Sequence, residues 1–519
     1  MRKLLFASLA VTALVAAACK SHGGGGGSGT PGTPSPTPTP GIDVLEHHHT
    51  GNRRGVYVEP ALTKAAVATL TLDTTFAGTI SGNVYAQPLY LSNAGHDLVF
   101  AVTENNQVTA LYASNGTVAW QRVLAPPMAL ASLPCGNIDP LGITGTPAID
   151  PASRTLFLDA MTDAGGGTAK HEIYALSVDD GSTKSGWPVD ANTAVSAGGV
   201  NFDSAYQNQR AALTFLDGKV YVAWGGHYGD CGTYYGWVAG IDATNPSSVS
   251  AFRTGAVGAA IWGMSGIAND GHFLYVTTGN TTQPSQTWND TEAILRLAPG
   301  PTFSGATADY YAPSNFYDLD VNDTDLAGTG PVLVDLPGSS VKQLVVALGK
   351  DGNIYLADRQ NLGGIGGELS FNAVSSSEII NAAASYTTAL GTYVVFKGNG
   401  IGCPMGQSRN LTAVRITPGA PPTASVAWCT DEIGAASPMV TQTEVDGGDT
   451  IVWGIGTEGE GIAGDHRLHG FDGDTGAVVF DGGGAGALMG NLHRYITAIA
   501  VNGRIFVGGD DRVYAFKAP

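Results

Sequence analysis

One short pattern recurs along this chain and limits the folds that the chain can adopt. Its clearest copy, residues 105–120, is N-N-Q-V-T-A-L-Y-A-S-N-G-T-V-A-W. The alternation of apolar and polar residues predicts a half-buried strand, and S-N-G at 114–116 predicts a hairpin turn, because Asn and Gly tolerate positive φ. Further copies begin at Glu172, Trp237, Asn410, Arg467 and Arg512. Recurrence on this scale indicates an array of similar β units.

Composition agrees with a β-repeat protein. The 519 residues include 73 Gly, and only 13% of them are charged. Turns are therefore abundant, whereas long helices with a charged face are disfavoured. Length alone predicts about three domains of roughly 150 residues, but the recurring hairpins join residues 65–519 into one architecture.

A short apolar run after a Gly, Pro or small residue marks the first strand of each unit. The runs begin at Ala86, Thr144, Arg210, Met264, Thr329, Tyr386, Ala436 and Tyr495. A β-rich second strand and the hairpin follow, and equivalent hairpins lie about 45 to 65 residues apart, which is typical of propeller blades with inserted loops. We therefore predict an all-β, eight-bladed β-propeller of four-stranded antiparallel blades.

The eighth unit ends at Pro519 with only three strands. Residues 68–76, A-T-L-T-L-D-T-T-F, have the pattern of the missing outer strand. We predict that this N-terminal strand closes the last blade and so removes an exposed sheet edge. On this interpretation, deletion of residues 1–60 leaves a folded protein, whereas deletion of residues 1–78 sharply lowers the melting temperature.

The N-terminus has the pattern of an export signal. Arg2 and Lys3 precede the apolar run 4–14, and small residues lead to Cys19. The V-A-A-A-C ending resembles a bacterial lipoprotein signal, which implies that Cys19 carries a lipid. An ordinary signal cut after Ala18 is the alternative.

A segment rich in Gly, Ser, Pro and Thr, residues 19–41, follows the export signal at 1–18. This composition is typical of a flexible tether that becomes stiffer where Pro is frequent. Lys20, rather than Asp, follows the Cys, which looks like an outer-membrane sorting context. We expect an exported, monomeric head that is lipid-anchored in the bacterial outer membrane or at the cell surface.

Residues 42–64 form an N-terminal arm between the tether and the first repeat. The arm contains E-H-H-H at 46–49. In an extended segment His47 and His49 lie on one side, and imidazole is a common ligand of transition metals. The alternative, which we favour, is an arm along the side of the propeller in which Arg53 or Arg54 pairs with a carboxylate.

The copy A-L-Y-A-S-N-G-T-V-A-W resembles the A-x-D-x-x-T-G-x-x-x-W repeat of the quinoprotein-like eight-bladed propellers, and the resemblance covers residues 65–519. That family includes alcohol dehydrogenases that use pyrroloquinoline quinone (PQQ) and lipoprotein scaffolds such as the β-barrel assembly factor of outer membranes. G-N-V-Y-A-Q-P-L-Y-L is similar to bacterial secreted propellers of this type whose activity is unsettled. The resemblance implies that the repeat Trp packs on the neighbouring blade, a role for Trp120, Trp187 and Trp428, with Phe480 in the seventh blade.

The resemblance leaves cofactor chemistry open. In the family's alcohol dehydrogenases a disulfide between adjacent Cys lies over the quinone, Glu, Asn and Asp hold a Ca²⁺, and some members have a C-x-x-C-H haem segment. Of the five Cys in this chain, none is adjacent to another and none begins C-x-x-C-H. The family's soluble sugar dehydrogenases also lack both features. We therefore expect no cofactor, with PQQ and Ca²⁺ as the alternative.

Several residues are candidates for the mouth of the central channel, near the blade starts or in the loop G-G-H-Y-G-D-C-G. They are Gln87, Arg210, Trp262, Arg494, His227 and Asp230. Acid–base catalysis requires a carboxylate or imidazole within hydrogen-bond reach of the substrate, and the sequence alone places none. We interpret these residues as hydrogen-bonded groups of the channel mouth, with cofactor binding as the alternative, and assign no catalytic residue.

Residues 318–325, D-L-D-V-N-D-T-D, place oxygen ligands at alternating positions. The segment lacks the Gly at the sixth position and the Glu at the twelfth that an EF-hand loop requires. We predict a solvated connector between the fourth and fifth blades and no metal site.

Four Cys remain when Cys19 is set aside, and an oxidising compartment favours disulfides among them. They allow three pairings. Cys403 and Cys429 lie in connections that open on the same face of the sixth blade, and Cys135 and Cys231 lie in loops on that face around the second blade. We predict the disulfides Cys403–Cys429 and Cys135–Cys231, with four buried thiols as the alternative.

The formal net charge of −19 disfavours nucleic acid as a partner, because binding it requires a basic patch. Two functions remain. The favoured one is a lipid-anchored cell-envelope scaffold that binds a protein or glycan partner. The alternative is a PQQ- and Ca²⁺-dependent dehydrogenase of an alcohol or sugar. Whether the protein is an enzyme is open, and saturable binding of PQQ separates the two.

Overall fold

Four-stranded antiparallel sheets are arranged as the eight blades of a propeller in this computed structural model. The structure describes residues 43–518 except 94, 408–409, 432–433 and 460–462. The chain divides into two units, Met1–Thr39 and Pro40–Pro519, and every described residue belongs to the second. We letter the strands of each blade A to D from the channel outward. The predicted fold class is confirmed.

The blades follow the chain in order. Blade 1 is Leu89–Leu91, Leu98–Val102, Gln107–Tyr112 and Val118–Val123, and blade 2 is Ala148–Asp150, Thr155–Asp163, Ala169–Ser177 and Val189–Asp190. Blade 3 is Thr214–Leu216, Lys219–Gly226, Trp237–Asp242 and Val249–Arg253, and blade 4 is Ala268–Asn269, Leu274–Thr278, Ala293–Leu297 and Tyr310–Ala312. Blade 5 is Val332–Asp335, Gln343–Leu348, Asn353–Asp358 and Ser370–Ala373, and blade 6 is Ala384–Thr388, Gly391–Lys397, Leu411–Thr417 and Thr423–Thr430. Blade 7 is Met439–Glu444, Gly447–Ile455, Leu468–Asp472 and Val478–Asp481, and blade 8 is Ile499–Val501, Arg504–Gly509, Arg512–Lys517 and Thr71–Leu72.

Short elements decorate the connections. The extra strands are Val56–Val58, Ser196–Ala197, Val200–Asn201, Gln207–Asn208 and Gly364–Ile365. The α-helices are Lys64–Val67, Ala191–Ala194 and Phe316–Asn322, and the 3-10 helices are Leu130–Ser132, Ser204–Tyr206, Thr307–Asp309, Leu326–Gly328 and Ala485–Ala487. Among the described residues, no helix is long and apolar enough to cross a membrane.

The N-terminal segment closes blade 8. Thr71 and Leu72 pair antiparallel with Lys517 and Phe516, inside the segment 68–76 that the sequence predicts as the outer strand. The closure places Thr71–Leu72 beside Arg512–Lys517 in one sheet, so the outer edge of Arg512–Lys517 is covered.

The repeated Trp and Gly contact each other across neighbouring blades. The indole Nε1 of Trp120 donates to the backbone oxygen of Val178 in blade 2 at 2.8 Å, and Trp428 donates to Gly473 in blade 7 at the same distance. The turn glycines Gly181 and Gly476 have φ values of +71° and lie against these two rings, so close that a Cβ would clash at 2.7 and 2.6 Å. The Gly of one blade therefore makes room for the Trp of the blade before it.

Trp187 packs in a different way. It is buried in the apolar cluster between blades 2 and 3, where its ring lies 5.6 Å from that of Phe157. Pro246, rather than a glycine, occupies the facing turn of blade 3 and contacts Gly186. Similar clusters lie between the other neighbouring blades, so the hydrophobic core is a ring around the channel.

The N-terminal arm lies inside the channel, where it bonds to the A strand, or the residues beside it, of one blade after another. From blade 1 to blade 8 the bonded pairs are Val44–Tyr90, Leu45–Ile149, Glu46–Thr214, Gly51–Asn269, Asn52–Leu333, Arg54–Ser385, Gly55–Val440 and Glu59–Gly503. Val56–Val58 also pairs in parallel with Met439–Glu444. The arm supplies partners for backbone groups that face the channel. The prediction of an arm along the side of the propeller is therefore wrong.

Arg53 fixes the centre of the arm. Its guanidinium is fully buried, donates to the backbone oxygens of His47, Leu213 and Ile267 at 2.7 to 3.0 Å, and pairs with the Glu46 carboxylate at 3.1 Å. Both arginines of the arm thus pair with a carboxylate, because Arg54 contacts Asp446 at 3.0 Å on the surface. A deletion of residues 1–60 removes this ring of contacts, which revises the expectation that such a protein stays folded.

Candidate functional site

The D–A and B–C connections form one face of the propeller, here called the upper face, and it carries a central cavity of about 510 Å³. This volume lies within the range of small-molecule sites. The charged lining residues are Arg210, Asp230, Asp323, Asp325, Lys350, Glu378 and Arg494, and His227, Tyr234, Trp262 and Asn280 lie beside them. The structure therefore brings together all the sequence candidates for the channel mouth except Gln87.

Gln87 contacts the N-terminal arm instead of lining the cavity. It is buried, its Nε2 donates to the backbone oxygen of Glu46 at 3.2 Å, and its Oε1 accepts from the N–H of His48 at 2.9 Å. Its position at a blade start places it beside the arm, which occupies this part of the channel.

Two cations lie close to the ring of Trp262. The Cζ of Arg210 is 5.7 Å from the Trp262 ring centroid, and the Nζ of Lys350 is 5.6 Å from it. The negative face of an indole attracts a cation at this distance. An aromatic wall flanked by positive charge suits a planar anion.

Lys350 is held by carboxylates at the cavity wall. Its Nζ donates to Asp325 and, at 3.1 Å, to Asp323. Although burial disfavours the ammonium, the two carboxylates outweigh it and raise the pKa of Lys350. The other oxygen of Asp325 accepts from the N–H of Asn280 at 2.8 Å.

Glu292 lies behind this network and is fully buried. One of its carboxyl oxygens accepts from the N–H of Leu326 at 2.6 Å, and the other makes no hydrogen bond among the described residues. Burial, with a contribution from Asp325, raises the pKa of Glu292 well above its usual value. The Glu292 carboxyl group therefore keeps its proton to a higher pH than an exposed carboxyl group does.

His227 is a buried, neutral base in the cavity wall. Burial lowers its pKa to about 4, and the charges of His171 and Arg210 act in the same direction. Neither ring nitrogen makes a well-directed hydrogen bond among the described residues, although the backbone of Ala205 is close enough to favour the cation slightly. The neutral imidazole can therefore accept a hydrogen bond from a molecule in the cavity at its unprotonated nitrogen.

Arg210 has fewer hydrogen-bond partners than Lys350 among the described residues, and none of them is a carboxylate. It donates to the backbone oxygen of Gly226 at 3.2 Å, while its Nε has no partner among the described residues. Burial lowers the pKa of Arg210, because it disfavours the charged form of the guanidinium. The positive charge of the nearby Arg494 acts in the same direction. Close to Arg210, the hydroxyl of Tyr234 donates to Asp230 at 2.5 Å.

A neighbouring chamber of about 370 Å³ shares Arg210 and Arg494 with the central cavity. In this chamber Tyr85 stacks on His493 at 4.6 Å, and His493 contacts Asp510 at 3.0 Å. Glu104 lies close by and is buried, and burial raises its pKa to about 7.

Both predicted disulfides are present. The Cα atoms of Cys135 and Cys231 are 6.1 Å apart, and those of Cys403 and Cys429 are 5.6 Å apart. The first disulfide joins the loop that lines the smaller chamber to the loop that carries His227. It therefore fixes two walls of the site relative to each other.

Solved structures with a similar fold include the quinohemoprotein alcohol dehydrogenases of Pseudomonas putida HK5 and Comamonas testosteroni and a europium-containing methanol dehydrogenase. Each is 14% identical to this chain. The TM-scores are 0.64, 0.60 and 0.60, and the matches cover 92%, 92% and 90% of this chain and 80%, 81% and 89% of theirs. What they share is the fold. No family model and no curated protein matches the chain.

The acidic segment 318–325 connects blades 4 and 5 as predicted, but only part of it is solvated, since Asp318 and Asp323 are exposed. It forms most of the helix Phe316–Asn322 and the following turn, and Asp320 and Asp325 are both buried. Asp320 accepts from Thr291 and Thr281 at 3.0 and 3.2 Å, so these carboxylates fasten the upper face instead of facing water. The sequence did not indicate this burial, because the hydrogen-bond partners of Asp320 and the backbone N–H that donates to Asp325 lie 29 to 45 residues away in the chain.

His47 and His49 contact different neighbours. The ring of His47 is buried and stacks on that of His48 at 4.3 Å, whereas His49 bonds to the backbone oxygen of Val56 at 3.0 Å. Burial lowers the pKa of both His47 and His48, in the second case to about 4. Across the part of the chain that the structure describes, no three His, Cys, Asp or Glu are grouped to hold a metal ion. Cys19 lies outside the described residues.

Sequence reasoning missed Asn280, Asp325 and Lys350. A signal for two of them exists, because Asn280 and Lys350 each follow a Gly that comes directly after strand B, as in T-T-G-N and A-L-G-K. His227 follows strand B of blade 3 directly. In blades 3, 4 and 5 the first or second residue after strand B therefore lines the central cavity.

Proposed function

We propose that this protein is an exported propeller that binds a planar, multiply charged organic anion in the central cavity, and that a quinone carboxylate of the PQQ class is the ligand that its residues fit. The observation that carries the proposal is that both Arg210 and Lys350 lie close to the ring of Trp262 in the cavity wall. A flat aromatic ring of the ligand would lie against the indole, and its carboxylates or quinone oxygens would accept from the two cations.

The export half of the proposal rests on the disulfides. Two disulfides in one chain indicate an oxidising compartment. A lipid on Cys19 would hold the propeller at the bacterial outer membrane or the cell surface. Replacement of Cys19 by Ala should then release the protein from the membrane fraction, and a variant that stays there would contradict the anchor.

The residues near Asp325 do not fit a Ca²⁺ ion. The Lys350 ammonium already bonds to the Asp325 carboxylate, so a divalent cation there would meet a like charge. We therefore propose ligand binding without Ca²⁺. When bound, a quinone would supply a two-electron acceptor, while Arg210 and Lys350 would orient it and neutral His227 would accept a hydrogen bond at a ring nitrogen.

Titration of the purified full chain with PQQ, followed by calorimetry and by quenching of tryptophan fluorescence, tests the proposal. We expect saturable binding that EDTA does not change. Replacement of Arg210 by Gln should weaken it by about tenfold or more, since a charge-assisted hydrogen bond contributes about 1.5 to 3 kcal/mol. Arg154, which pairs with Asp179 on the surface, gives the matched control Arg154→Gln.

A dye-reduction assay on the same purified protein distinguishes the remaining functions. Dye reduction across alcohols and aldoses by the PQQ-loaded chain would identify a dehydrogenase, and saturable binding without dye reduction would identify a carrier. No saturable binding to the wild type would overturn the proposal and leave the scaffold for an envelope protein or glycan.

A further inference from the structure

Another cavity, distinct from the central cavity and from the neighbouring chamber, lies beside blade 4 on the upper face. It shares no lining residue with either of them. Its volume is about 340 Å³. The B–C connection of blade 4 forms most of its wall, residues 255–257 of the preceding connection form another part, and Asp320 contributes from the helix Phe316–Asn322. Different elements therefore converge on it.

Trp288 provides a fixed aromatic wall in this cavity. Its ring stacks on that of Tyr310 at 4.1 Å, and its Nε1 donates to the backbone oxygen of Thr291 at 2.7 Å. These contacts fix the orientation of the ring. The Trp288 side chain is half-buried, and it lines the cavity. An indole held in this way loses no conformational freedom when a ligand packs on it.

The other lining side chains are polar and almost uncharged. Gln283 and Asn289 are exposed, and among the described residues their side-chain amides make no hydrogen bond. The hydroxyl of Ser285 accepts from the N–H of Thr287 and keeps its own hydrogen to donate. The lining contains no Lys or Arg, and its one carboxylate, Asp320, already accepts from Thr281 and Thr291.

We infer that this cavity is a binding site for a neutral saccharide. A sugar presents hydroxyls that donate and accept, which amide and hydroxyl side chains match, and a face of C–H groups that the negative face of an indole attracts. A phosphate or carboxylate ligand would find no cation here. The cavity volume lies near the lower end of the small-molecule range, which suits one or two sugar rings.

An array of immobilised glycans, probed with the purified full chain, tests the inference. It should include neutral mannans, glucans, galactans and chito-oligosaccharides together with acidic heparin and polygalacturonate. We expect retention on neutral glycans only. Gln283→Ala should reduce the affinity about threefold to tenfold and Trp288→Ala at least about tenfold, because each removes a direct contact.

Two controls keep the result interpretable. Gln283 is exposed and unbonded, so Gln283→Ala tests the site even if Trp288→Ala weakens the packing on Tyr310. Trp262→Ala should leave glycan binding unchanged and weaken PQQ binding, so the two sites can fail separately. Retention on acidic glycans alone, no retention, or full retention by Gln283→Ala and Trp288→Ala would overturn the inference.

Discussion

Replacement of Arg53 by Met tests whether the arm inside the channel stabilises the propeller. The substitution removes the hydrogen bonds to His47, Leu213 and Ile267 and leaves Glu46, which is 9% exposed, without its cation. Breaking a buried ion pair by removing one partner costs about 3 to 5 kcal/mol. We expect the free energy of unfolding of Arg53→Met to fall by about this amount.

Arg54 is the matched control, because it is adjacent in sequence and also pairs with a carboxylate. Its contact with Asp446 lies on the surface, where such pairs contribute about 0 to 1 kcal/mol. Urea denaturation of Arg53→Met and Arg54→Met, followed by tryptophan fluorescence, measures both effects. Adding Glu46→Gln to Arg53→Met should recover part of the loss. Equal denaturation midpoints for the two single variants would refute the reasoning.

The remaining predictions concern the arm, its histidines and a disulfide. Deletion of residues 1–42 should leave the melting temperature unchanged, whereas deletion of 1–60 should lower it strongly, and equal melting temperatures would contradict the ring of arm contacts. Because the pKa of His48 falls from 6.5 to about 4 on folding, its contribution to stability is complete above about pH 7 and is lost as the pH falls toward 4, by about 3 kcal/mol. The variant His48→Asn, which tolerates the positive φ of 56° there, should lose correspondingly less stability in urea titrations between pH 7 and 4.5, and parallel pH profiles would contradict this. Replacement of Cys403 and Cys429 together by Ser should cost about 3 kcal/mol, since their sequence separation is 26 residues, and unchanged thermal unfolding would contradict that estimate.

The blades could be predicted from the sequence because each is built from local contacts. Alternation within a strand and a Gly or Asn at the turn fix a hairpin without reference to the rest of the chain, as residues 105–120 show. The disulfides followed from this topology, because the order of strands determines which loops share a face. The eighth blade followed from an unpaired edge.

The arm and much of the site could not be predicted, because their contacts join residues that are far apart in sequence. The bond from Gly503 to Glu59 spans 444 residues, and that from Arg53 to Ile267 spans 214. No periodicity marks such pairs. Segment 318–325 has the composition of a surface loop. Asp320 and Asp325 are nevertheless buried, because the folded chain brings Thr291 to the first and Lys350 to the second.

The arm also determines when this protein can finish folding. It precedes every blade in the chain, yet its last partner, Gly503, lies in blade 8. Until blade 8 exists, the arm has an incomplete ring to bind and Thr71–Leu72 has no strand to join. A chain with such long-range contacts folds slowly. The closed ring of arm contacts therefore cannot be completed until nearly the whole polypeptide has been made.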